Sequence, residues 1–161
     1  MATDSSELRK AILHNLIINE EYCRKVLPFL DNEYFSDQFE RIILQEINSY
    51  YMKHNSPPQY QALKIEIEGR DDLTEGVYKE LNAFVDTRVP EVPKVDWLVN
   101  KTEEWCQEKA IVNAVYKAVN VIGGDDKKTT MTQLPDMLRE AISTSFDKTV
   151  GHDFIEDVED R

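Results

Sequence analysis

An all-α fold, a small helical bundle followed by a long antiparallel helical hairpin, is what this sequence predicts, on three observations. Apolar residues recur at helical spacing in one segment after another. The chain holds only five glycines and six prolines and few runs of β-branched residues, a balance that favours helices over a sheet. The third observation is a single segment. Between Ala110 and Ile122 the only polar residues are Asn113, Lys117 and Asn120. Their i, i+4, i+7 spacing puts all three on one narrow stripe of a helix and leaves the rest of its circumference apolar. A helix of that kind must be covered on more than one side.

Seven helices follow in order. The first runs from about Ser6 to Ile18 with Leu8, Ala11, Ile12 and Leu16 on one face, and His14 on an exposed or boundary face. The second covers Glu20 to Leu30 and carries Tyr22, Cys23, Val26 and Leu27. The third starts near Ser36 and runs to His54, with Phe39, Ile42, Ile43, Ile47 and Tyr50 at helical spacing. Ser56-Pro57-Pro58-Gln59 reads as the opening of the fourth: Ser56 as N-cap, Pro57 at the first helical position, Gln59 closing a capping box. That helix carries Tyr60, Leu63 and Ile67 inward and ends at Gly69. Thr74 caps the fifth, which buries Val77, Leu81, Phe84 and Val85.

Pro90-Glu91-Val92-Pro93 marks a boundary. The sixth helix, about Lys94 to Ile122, is the longest and stops at Gly123-Gly124. The polar connector Asp125 to Thr130 is short, which makes the seventh helix, Thr132 to Phe146, an antiparallel neighbour. Leu134, Met137, Leu138, Ala141, Ile142 and Phe146 form its single apolar stripe. The expected organisation is a compact bundle over residues 1–89, a hairpin for subunit pairing over 94–147, and an acidic linker over 148–161 that leads toward an absent further domain. The expected subunit interface is Ile111, Val115, Ala118, Val119 and Ile122 on the long helix, with Met137, Leu138 and Ile142 on the one after it.

Charge narrows the function. The formal net charge is −12, from 31 acids and 19 bases, and no basic run is longer than two residues, as at Lys127–Lys128. Holding a nucleic acid polyanion takes clustered cations, so little or no direct nucleic-acid binding is expected; an acidic surface suits basic protein partners. The first residues show no secretory pattern, and no apolar run approaches the roughly 20 residues of a membrane span. A cytoplasmic protein that does not enter the membrane is expected, in the host cytoplasm if a phage encodes it. In that compartment Cys23 and Cys106, both inside helical patterns, read as buried thiols.

No catalytic, cofactor or metal site is expected. Gly123-Gly124-Asp125-Asp126-Lys127-Lys128-Thr129 resembles a phosphate loop only superficially, because Lys127 stands where that motif needs glycine and a helix leads in where it needs a strand. His152, Asp153, Glu156 and Asp157 lie in the tail without the supporting shell a metal site needs. Trp97 and Trp105 have Glu103, Glu104 and Glu108 around them, so both read as packing residues rather than stacking platforms.

The order of elements, with local sequence, resembles the N-terminal domain of DnaB-type replicative helicases. Glu33-Tyr34-Phe35 followed by Phe39-Glu40-Arg41-Ile42-Ile43 is similar to the family's stretch where an aromatic pair leads into a long helix. Ser56-Pro57-Pro58 through Ala62-Leu63 is similar to its proline-opened helix, and Gln107-Glu108-Lys109-Ala110-Ile111-Val112 to the start of its hairpin. Ile12 to Ile17, Trp97-Leu98-Val99, Ser143 to Asp147 and Val150 to Asp153 also have counterparts in the T-even-type phage replicative helicases. The resemblance implies a collar domain of a hexameric, ATP-driven helicase that unwinds DNA at the replication fork. It implies pairing through the hairpins, three pairs to a ring, and contacts with primase and in some systems a helicase loader. ATP and magnesium belong, on that reading, to a motor domain after the linker. Two other readings stand beside it. One is a free-standing dimeric all-α adaptor or regulatory protein; the other is a small helical enzyme with a site assembled across subunits.

Overall fold

The computed structural model describes residues 5–87, 92–124 and 129–143. The described residues hold seven α-helices and no strand: α1 Ser6–Ile18, α2 Glu20–Val26, α3 Gln38–His54, α4 Tyr60–Glu68, α5 Glu75–Asp86, α6 Val95–Ile122 and α7 Leu134–Ile142. The connector at 125–128, Phe146, the linker 148–161 and its cluster His152, Asp153, Glu156 and Asp157 lie outside the described residues.

Local hydrogen bonds set most helix ends. Ser5 Oγ accepts from the Leu8 N–H at 3.1 Å to start α1. Asn19 serves two helices: its N–H donates to the Asn15 carbonyl at 3.0 Å, and its Oδ1 accepts from the Tyr22 N–H at 3.1 Å. A single non-helical residue therefore turns α1 into α2. Thr74 Oγ1 accepts from the Val77 N–H at 3.3 Å to open α5, as expected. Asn55 ends α3 in the left-handed region at φ 56°, a conformation asparagine tolerates better than most residues.

Prolines cause the departures from the expected boundaries. The second helix stops at Val26, and a 3-10 turn with Pro28 in it carries the chain through Phe29, because proline has no N–H for an α-helical bond. The capping box at Ser56 does not form: α4 begins only at Tyr60, with Gln59 as N-cap. Pro58 biases the residue before it away from helical angles, so Pro57 cannot serve as the first residue of a helix. At the other end of the chain, Met131–Gln133 forms a 3-10 turn before Pro135 sits in the first turn of α7.

The chain divides into two compact units, Met1–Thr102 and Glu103–Arg161, and the division falls inside α6. In the first unit α1 packs on α2 and α3, and α3, α4 and α5 pack on one another. The second half of α1 is enclosed: every residue from Ile12 to Ile17 is buried. His14 is among them, only 3% exposed, which corrects the expected boundary position. Its ring stacks on Phe84 of α5 at 3.9 Å, and its Nδ1 lies 2.6 Å from the Tyr60 hydroxyl of α4. A stretch of helix covered on all sides has no solvent face for a polar residue, so the histidine is accommodated by partners instead.

Two buried polar contacts join elements distant in sequence. Glu40 on α3 is 2% exposed and accepts from Arg9 Nε on α1 at 3.1 and 3.3 Å. Tyr22 on α2 meets the Thr102 hydroxyl at 2.7 Å, and Thr102 donates to the Leu98 carbonyl at 2.7 Å. With Leu98 buried beside it, this contact makes the first turns of α6 part of the bundle unit. Segments that carry the family resemblance have structural work here. Phe35 is buried, and Arg41 Nη1 donates to the carbonyls of Phe35 and Ser36 at 2.7 and 2.8 Å, holding the aromatic pair against the start of α3.

The expected pairing of the two tryptophans is divided. Trp105 is fully buried, whereas Trp97 is 52% exposed, so Trp97 is not the packing residue it was expected to be. On this stretch of α6 the buried positions are Leu98, Thr102, Trp105 and Cys106, and Trp97 falls on another side of the helix.

Candidate assembly surface

In the second unit α6 continues from Glu103 and α7 follows. From Ala110 onward α6 sorts its side chains into three faces. Ala114 and Val121, seven residues apart, are buried. Asn113, Lys117 and Asn120 make the polar stripe, with Lys117 and Asn120 exposed. On the remaining face Ile111, Val115, Val119 and Ile122 are 40%, 49%, 58% and 67% exposed, and Ala118 between them is half-buried. Their spacing of four, three and four residues through Ile111, Val115, Ala118 and Ile122 forms one continuous row along the helix.

Every α6 residue expected at a subunit interface thus lies on one apolar row that this single chain leaves largely uncovered. Tyr116, 68% exposed on the flank of that row, was not singled out from the sequence. Its position within the otherwise apolar circumference was the available signal. The α7 residues are less uniform. Leu134 is buried, Met137, Leu138 and Ala141 are half-buried, and Ile142 is 69% exposed. The polar residues Asp136, Arg139 and Glu140 are exposed, which gives α7 the amphipathic face expected of it.

The row offers no group for chemistry. It holds no titratable side chain, no nucleophile and no hydrogen-bond donor beyond the backbone already used inside the helix. What such a surface can do is exclude water against another apolar surface. Both cysteines are buried and unpaired with each other. Burial pushes the Cys23 thiol up to about 11, with Glu20 adding to the shift, and pushes Cys106 up to about 12, with Glu103 adding. Both are therefore neutral thiols at physiological pH, the opposite of what a nucleophile or metal ligand requires. Among the described residues no helix is long and apolar enough to cross a membrane.

No family model matches the chain. A DnaB-like replicative helicase of Enterobacteria phage T4 is 30% identical to it over 158 residues, which span 93% of this chain and 33% of that protein. The chain thus covers about one third of the length of the curated relative it matches. Of the segments that resembled replicative helicases, those from Ile12 in α1 to Val112 in α6 belong to the helices and turns just described, and those from residue 144 onward lie outside the described residues. By sequence this chain is similar to a DnaB-like replicative helicase over about one third of that protein's length, an extent consistent with an N-terminal domain.

Proposed function

We propose that this chain is the N-terminal assembly and partner-docking domain, the collar, of a hexameric DnaB-like replicative helicase. On this reading α6 and α7 fold back as an antiparallel hairpin, and two copies pair across the row Ile111–Val115–Ala118–Ile122. Three such pairs close a ring. ATP-driven unwinding, with its magnesium, belongs to a motor domain that follows the linker. The collar presents its acidic outer surface to primase and, where one exists, to a helicase loader, within the cytoplasm of the host cell. Two findings support the reading: the partial match to a replicative helicase and the uncovered apolar row on α6.

The row is the observation that carries it, and its size sets the expected strength. Fully burying a branched aliphatic side chain contributes roughly 1.5–3 kcal/mol, and Ile111, Val115, Val119 and Ile122 are already about half covered. Covering the exposed halves on two copies therefore contributes on the order of 8 kcal/mol. Association costs about 4–15 kcal/mol in lost freedom, so the row needs help from its flanks, Tyr116 and Ile142 first.

Sedimentation tests this directly. At roughly 50 µM the chain should run as a dimer or a multiple of dimers. Val115→Asp places a carboxylate in the contact twice, once from each copy of a two-fold interface, and should run as a folded monomer. Asn113→Asp lies on the polar stripe and should leave the assembly unchanged. A wild-type chain that stays monomeric at that concentration would overturn pairing through this row.

A further inference from the structure

We draw no further inference here: the strongest candidate, the apolar groove of about 220 Å³ between α2 and α3 lined by Cys23, Leu27, Pro28, Tyr51 and Met52, has nothing in the structure to show what covers it.

Discussion

Single residues in this protein are distinguished less by their type than by what surrounds them. Arg9 and Lys10 are adjacent cations on α1, yet Arg9 is turned inward to Glu40 while Lys10 faces water. Removing one partner of a buried ion pair typically costs about 3–5 kcal/mol, and Arg9 retains some exposure and a second acid, Asp37, at 4.0 Å. Arg9→Ala should therefore cost about 3 kcal/mol in urea unfolding, and Lys10→Ala less than about 0.5 kcal/mol. Equal effects of the two would show that the Arg9–Glu40 contact does not form. The thiols give a second test. In the unfolded chain they lose their protons near their ordinary value of 9.0, and in the folded chain only near 11 for Cys23 and 12 for Cys106. Their contribution to stability is thus complete below about pH 9 and is lost as the pH rises through 11 and 12. Alkaline melting curves should fall over that window, and Cys23→Ala with Cys106→Ala should flatten the fall. At pH 8 a disulfide reagent should label neither thiol in the native chain and both in denaturant; rapid native labelling would contradict their burial.

At the scale of elements, helix ends separate caps that form from caps that the sequence only suggests. Thr74 and Ser56 both look like N-caps by residue type, but only Thr74 accepts a hydrogen bond from the turn it precedes. Thr74→Ala should cost about 1 kcal/mol, the usual loss for such a cap, and Ser56→Ala less than about 0.5 kcal/mol. Thermal unfolding of the two variants side by side would decide it, and a larger loss at Ser56 would restore the capping box. The link between α4 and α5 is held differently. Arg70 presents its guanidinium to Asp72 at 2.7 and 3.0 Å and to Glu46 on α3 at 3.0 Å. These contacts raise the arginine's affinity for its proton, and the Arg70 guanidinium holds the Asp72 carboxyl below its ordinary value. Any stabilisation from Asp72 is therefore present above the ordinary carboxylate range and is lost as the pH falls through the lowered value.

For the whole molecule, charge and the absence of a phosphate loop from the sequence set the expectation. With a net charge of −12, contacts to nucleic acid would have to work against the surrounding field. The purified chain should turn over no ATP and show no binding to single-stranded DNA that persists at physiological salt. ATPase activity that copurifies strictly with the chain, or submicromolar DNA binding in about 0.15 M salt, would reject a purely assembling role. The two compact units make a related point about how the molecule is built. Helix α6 runs through their division, so the same continuous helix is anchored in the bundle by Leu98 and Thr102 and carries the uncovered row farther on.

The positions of α1, α3, α5 and α6 were legible from the sequence nearly to the residue, because they rest on interactions within a turn or two. The recurrence of apolar residues at i+3 and i+4, the Thr74 cap and the stop at Gly123-Gly124 are all local, and so are the Ser5 and Asn19 caps that the structure adds. The apolar row on α6 was legible for the same reason, since it follows from where Asn113, Lys117 and Asn120 fall around one helix. Tertiary structure alone decided what faces what. Nothing in the neighbourhood of His14 marks it for burial between Tyr60 and Phe84, which arrive from α4 and α5. Likewise Glu40 is buried because Arg9 comes from α1 to meet it, and Trp105 is covered while Trp97 is not. Periodicity fixes a residue's angle around its own helix. Which angles are dry depends on helices that the chain brings together from far along its length.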